Sequence, residues 1–316
     1  MKTKKLTIWQ KIVKLLGTKD QEDIRARKKG SPGFILTMTG LALFNFIIFY
    51  VYLNIDGVLL SFKDLEGEWT LGNYRYVFQQ FILDDGVMRE ALTNTIIYWS
   101  VGYFIIQTAN ILIAYFFYKR IAGYKIFRTL FYAHNVIGGS VVAMMYKQLV
   151  GPEGPIVEFL MKAGILTERL QFLSDSRYAM TVSVGYSLWL VTGSVMLWCS
   201  GAMARIPISL FEAASLDGIT PWKEFRHIVL PSISGTLSTL YLIGLSGIFY
   251  AGGATLFLTE GNYGTMTFSF WMFKELYANN STGTSAALGI ILAIITVPII
   301  FLTKWLFAKA TSEVEY

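Results

Sequence analysis

The sequence predicts an all-α membrane protein: six transmembrane helices, with a long polar loop between the fourth and the fifth. Three observations lead there. Hydrophobic residues make up 54% of the chain and charged residues only 15%, where a soluble domain carries roughly a quarter. The apolar residues fall in long blocks free of Asp, Glu, Lys and Arg. These blocks are continuously apolar, whereas the strands of a membrane barrel are about ten residues long and alternate apolar with polar.

Crossing the hydrocarbon core takes about 20 apolar residues at 1.5 Å rise each. The blocks that qualify are residues 30–55, 91–118, 129–146, 178–204, 228–259 and 277–303. The third is the shortest. Residues 261–273 are uncharged but too short and too rich in Gly and Thr to span. An ionised side chain at a helix centre costs about 2.5–3.5 kcal/mol on insertion scales, so the clean blocks are a positive signal. Two domains follow: a basic tail at 1–32 and a membrane domain at 33–316, with the polar loop at 205–231.

Six spans put both termini on one side. With that side inside, most of the 27 Lys and Arg residues are inside. Only Lys63, Arg75, Arg89, Lys147, Lys162, Arg169, Arg177 and Lys274 fall outside. The positive-inside rule therefore places both termini and the 205–231 loop in the cytoplasm. A positive tail facing anionic lipid accounts for the basic balance, and no nucleic-acid partner is expected. In that tail Leu6, Trp9, Val13 and Leu16 share one face at helical spacing. That fits a helix lying on the membrane surface and equally a tail that only sets topology. If this helix is counted, the loop lies between the fifth and sixth helices. No short apolar run with a small-residue cleavage site follows the tail, so the first span is expected to be retained.

No constellation for catalysis is visible. His134 and His227 are the only histidines and Cys199 the only cysteine. Spacing gives them no partner, and no metal-ligand cluster exists. Nor is there a phosphate-binding G-x-x-x-x-G-K-[ST] run. This chain is expected to carry no cofactor and to be no enzyme.

The 205–231 loop is far longer than the usual 2–8-residue link between bundle helices. Pro207 suits a first helical position, and Ser209 to Leu216 forms a short helix. Gly218 ends it in the left-handed conformation. Thr220 and Pro221 restart a second helix as N-cap and first residue. That helix runs through Trp222, Phe225 and Ile228, and Pro231 leads into the fifth span. Leu210, Phe211 and Leu216 offer apolar contact, Glu212 and Asp217 offer charge, and the small Ala213-Ala214-Ser215 face permits close approach by another backbone.

The spacing Glu212-Ala213-Ala214, Gly218, Ile228 and Leu230-Pro231 resembles the EAA signature of the membrane subunits of bacterial ABC importers, the binding-protein-dependent type. Further similarity lies at Arg205-Ile206-Pro207, Asn94-Thr95, Phe127-Arg128-Thr129, residues 151–164 and Thr259-Glu260-Gly261. It covers roughly residues 34–307 and is greatest to sugar permeases of the maltose and glycerol-phosphate type. Two positions depart from that branch: His134 replaces a proline, and Gly261-Asn262-Tyr263 replaces Gly-Gly-Pro. The resemblance implies the type I ABC importer fold, with the loop as coupling helix. Glu212, Ala213, Ala214, Asp217, Gly218, Leu216 and Phe211 would then engage an ATPase subunit. It also implies ATP and magnesium bound in that partner and not here. The implied partners are a second homologous permease, two ATPase subunits and an extracytoplasmic solute-binding protein, in a bacterial cytoplasmic (inner) membrane.

Polar and aromatic residues interrupt the apolar blocks: Gln107 and Asn110; Asn135; Tyr186, Trp189 and Thr192; Tyr241, Ser246 and Tyr250. Polar groups at membrane depth face a bundle interior or cavity, and aromatic faces with hydroxyl neighbours suit sugars. They also serve as helix glue and as interfacial belts. The expected function is ATP-driven import of a sugar or oligosaccharide. The alternatives are a non-sugar solute such as a glycerol-phosphate-type ester, an ion-coupled carrier, or a membrane scaffold. An ion-coupled carrier needs intramembrane carboxylates or repeated broken helices. Asp56 is the one candidate acid, and no internal repeat is seen.

Overall fold

A computed structural model describes residues 32–82, 86–133, 136–190, 193–252 and 255–311. The proposed tail helix, His134, Asn135 and Thr192 lie outside the described residues. The described chain is helical throughout apart from turns and one short bridge, Lys63 to Trp69. It divides into two units, residues 1–59 and 60–316.

The first unit holds most of α1, Thr37–Ser61. None of its most apolar window is buried within the protein, and Leu41, Phe44 and Tyr50 are exposed. Lipid supplies the apolar surroundings that water cannot, while the helix satisfies its own backbone.

The second unit contains α2 (Gly72–Ile82), α3 (Val87–Tyr118), α4 (Tyr124–Ala133), α5 (Gly139–Val150), α6 (Pro155–Lys162), α7 (Ala179–Trp189) and α8 (Gly193–Met203). The loop helices α9 (Ile208–Leu216) and α10 (Pro221–Ser232) follow, then α11 (Ser234–Ser246), α12 (Thr255–Leu258), α13 (Phe268–Tyr277) and α14 (Thr282–Thr311). The C-terminal half of α3 packs along α8, and α14 packs on α2, α11 and α13.

Among the described residues, three helices are long and apolar enough to cross a membrane, α1, α3 and Thr282–Phe307 within α14, with α10 and α11 as a bent fourth. The remaining blocks are interrupted. The 129–146 block is divided between α4, which ends at Ala133, and α5, which Gly138 precedes with ψ of 137°. The 178–204 block is divided between α7 and α8. In the fifth block the helix begins at Ser234, because residues 228–232 belong to α10, and it ends at Ser246.

Hydrogen bonds from side chains to backbone hold the end of the unit where α2, α3, α13 and α14 meet. Asn94, 5% exposed, donates through Nδ2 to Gly264 O (3.0 Å) and Met266 O (2.9 Å). Thr95 Oγ1 accepts from the Phe268 N–H (3.0 Å), and Glu90 Oε1 from the Met266 N–H (2.9 Å). Asn73 Nδ2 donates to Ser61 O (3.0 Å) and Lys63 O (2.7 Å). Gly283 permits that approach: a Cβ there would lie 2.5 Å from Asn73 Nδ2 and 2.6 Å from Lys63 O. On α13, too short to span, Glu275 is buried, and burial raises its carboxyl above the usual carboxylate range.

Candidate functional site

The 205–231 loop is a two-helix elbow. Pro207 is not the first helical residue. It precedes it, with ψ at 132°, and its carbonyl accepts from the Leu210 N–H (3.2 Å). A preset φ suits either position; the following Ile208 is the one that turns helical. At the other end of α9, Gly218 has φ of +64°. Its N–H donates to Ser215 O (3.2 Å), and the Ile219 N–H donates to Ala214 O (3.1 Å). This paired closure through a left-handed residue uses carbonyls that the helix end would leave unmatched.

Thr220 precedes α10 in extended conformation, and Pro221 is its first residue, as the spacing predicts. The Thr220 side chain makes no capping bond; its carbonyl accepts from the Glu224 N–H (2.9 Å). Pro231 lies inside α10 and has no N–H for the carbonyl four residues back. The helix is π-wound over Phe225–Val229 and turns by 76° into α11.

The elbow has two faces. Leu216 is 88% exposed, and Ile208, Leu210, Trp222, Glu212, Ala213, Ser215 and Asp217 are exposed with it. Ala214, at 4% exposure, turns inward, so only part of the small-residue face is open. Phe211 also turns inward, against the core formed by α3, α8 and α10. Its ring centroid lies 5.5 Å from that of Tyr118. Of the seven residues that the sequence assigns to docking, Glu212, Ala213, Leu216, Asp217 and Gly218 share the open side.

Sequence reasoning missed the residues that hold the elbow in place. Glu224 on α10 is 8% exposed. Lys119, just past the end of α3, places Nζ 2.8 Å from Glu224 Oε1 and 2.9 Å from Oε2. The Tyr115 hydroxyl lies 3.0 Å from Pro221 O and 3.2 Å from Glu224 Oε1, its one proton serving either. Tyr115 also packs its ring on Phe225, with centroids 5.0 Å apart. The available signal was an acid between the apolar Trp222 and Phe225, a place where a solvated charge is unexpected.

The pathway candidates form two groups rather than one. Tyr186 and Trp189 gather with Tyr146, whose ring lies 5.2 Å from Tyr186 and 5.5 Å from Trp189. The Tyr98 hydroxyl neighbours those of Ser183 and Thr255. All three hydroxyls are buried. Tyr241 instead meets Tyr103 (5.3 Å), which stacks on Trp99 (4.7 Å). Trp99 Nε1 donates to Gly244 O (3.0 Å), and a Cβ at Gly244 would press on the Tyr103 ring at 3.1 Å. Gln107 Nε2 and Asn110 Nδ2 on α3 are buried and unmatched among the described residues. Ser246 Oγ donates to Ile243 O (2.7 Å) within its own helix, and Tyr250 is exposed. Among the described residues, no group of three or more His, Cys, Asp or Glu is placed to hold a metal.

This architecture is shared with solved structures. A chain of a bacterial ABC transporter involved in import of the acidic polysaccharide alginate superposes with a TM-score of 0.77 at 20% identity, over 90% of this chain and 99% of that one. The arabinooligosaccharides transport system permease protein AraP of Bacillus subtilis is 25% identical over 86% of this chain and 87% of its own. The osmoprotective compounds uptake permease protein GgtC of Synechocystis is 29% identical over 78% of this chain and 88% of its own. Residues 108–312 match the family described as the inner membrane component of binding-protein-dependent transport systems. The chain belongs to that family and is an integral membrane permease subunit, not a catalytic one.

Proposed function

We propose that this chain is a permease subunit of an ATP-driven importer that moves a sugar or oligosaccharide into the cell by alternating access. The observation that carries the reading is the open side of the elbow, where Leu216, Ile208 and Trp222 stand exposed around Glu212 and Asp217. Outside a membrane such an apolar patch needs a partner to cover it. An ATPase subunit is that partner, and it binds the ATP and magnesium for which this chain has no site. A second homologous permease completes the pathway, and two ATPases drive the pair. A solute-binding protein delivers cargo from outside. The distribution of basic residues favours the cytoplasmic side of a bacterial inner membrane for the elbow and both termini.

ATP binding can shift the spans only through a difference in affinity between two states. Turning a population from 1:99 to 99:1 takes about 5.5 kcal/mol, more than any one exposed contact supplies, so the whole elbow has to engage.

Carbohydrate cargo is favoured by relatives named for arabinooligosaccharides and alginate. The buried hydroxyls of Tyr98, Ser183 and Thr255 beside the aromatic group also suit C–H faces and hydroxyl rims. GgtC favours a second reading, a small osmoprotective solute. The test is ATP-dependent uptake in vesicles carrying the complete transporter. Glu212→Lys or Gly218→Val is expected to lower uptake and the ATPase stimulation that accompanies it, and normal coupling in both variants would sink the reading. Uptake of oligosaccharide against osmolyte separates the two cargoes.

A further inference from the structure

The elbow is tied to the bundle in two ways, and they differ in kind. Along the chain, α10 continues into α11 through a 76° bend at Ile233. The backbone bonds continue across the bend, from Ile233 N–H to Val229 O (3.1 Å) and from Leu237 N–H to Ile233 O (3.0 Å). Across the bundle, α10 meets the end of α3 through a charge. The Lys119 ammonium bridges both oxygens of Glu224 at 2.8 and 2.9 Å, with the Tyr115 hydroxyl at 3.2 Å from one of them. Lys119 also sits 5.4 Å above the Phe211 ring of α9, so this one side chain touches both loop helices.

We propose that Lys119 and Glu224 are positioning residues for coupling: they form the joint through which movement of the elbow reaches α3. This rests on the reading of the elbow as the docking site for an ATPase. The helix so driven carries Gln107 and Asn110, whose buried amides lack partners among the described residues. Asn110 lies nine residues before Lys119, about 13 Å along the helix. A buried acid is held only while its cation stays, so the joint resists separation of α10 from α3. The joint transmits movement to the helix with unmatched polar groups.

The test uses the complete transporter in proteoliposomes, with uptake and ATP hydrolysis measured on the same preparation. Lys119→Met and Glu224→Gln are expected to keep the ATPase bound and hydrolysing, while solute moved per ATP falls about tenfold, within the range of coupling between two protein sites. Lys119→Arg keeps a cation and is expected to hold the wild-type ratio. Tyr115→Phe, which preserves the ring on Phe225, serves if the charge variants fail to assemble, and is expected to lower the ratio by a smaller factor. A role in stability alone would lower the yield of complex and leave solute per ATP unchanged. That result in Glu224→Gln or Tyr115→Phe, or a loss in Lys119→Arg equal to that in Lys119→Met, overturns the proposal. Absence of ATP-driven uptake in the wild type would instead overturn the functional reading itself.

Discussion

The elbow and the opposite cluster at α2, α13 and the start of α14 are both polar assemblies at the ends of apolar helices, yet they are held differently. The cluster uses side chains bonded to backbone: Asn94 to two carbonyls, Thr95 and Glu90 to one N–H each, Asn73 to two carbonyls. Such bonds fix one backbone against another at short range and leave few alternatives. The elbow relies on one ion pair, one glycine turn and a bend, with much of its surface open. The first arrangement suits a frame, the second a part that moves against a frame.

The largest expected effect breaks the frame. Asn94→Ala leaves the Gly264 and Met266 carbonyls without their donor, and an orphaned buried polar group costs about 1–3 kcal/mol, so a loss of about 3 kcal/mol is expected. Thermal unfolding in micelles checks it. An intermediate effect belongs to Gly218→Val on the elbow. Holding a side-chain-bearing residue at left-handed φ costs about 1–2 kcal/mol, and no atom lies within 4 Å of the added Cβ, so the cost is conformational. Its expected signature is impaired uptake with a smaller shift in unfolding than Asn94→Ala gives. The reverse order would erase the distinction between frame and moving part.

The smallest effect is a dependence on pH. Burial raises the Glu275 carboxyl, so the native protein keeps that proton over a range where the unfolded chain has lost it. Stability therefore falls as pH rises through that range, from the ordinary carboxylate value to the raised one. Glu275→Gln is expected to flatten this slope and slightly raise stability at neutral pH. An unchanged slope would show that Glu275 is ionised inside the frame.

The elbow was legible because its signals are local. Gly218 at the left-handed position, Pro221 at the start of α10 and the EAA spacing need only neighbours in sequence. Pro207 was misplaced by one residue because a fixed φ suits both the N-cap and the position after it. The spans were legible as composition, which lipid demands, and not as continuous helices. The helix ends at Ala133 and the chain bends by 76° at Ile233, which backbone geometry decides and composition does not. Asn94 and Thr95 were noticed only through resemblance; their partners lie some 170 positions away.

By itself the sequence determined apolar membrane helices and a two-helix elbow among them, because hydropathy and turn chemistry act at short range; the permease reading came from its resemblance to a family. Only the tertiary structure decided which side of that elbow is open, that Phe211 and Ala214 face inward, and that Lys119, Tyr115 and Glu224 meet. Lys119 and Glu224 lie 105 positions apart. What joins them is the packing of α3 against the rest of the unit, where a buried acid must find a cation close by.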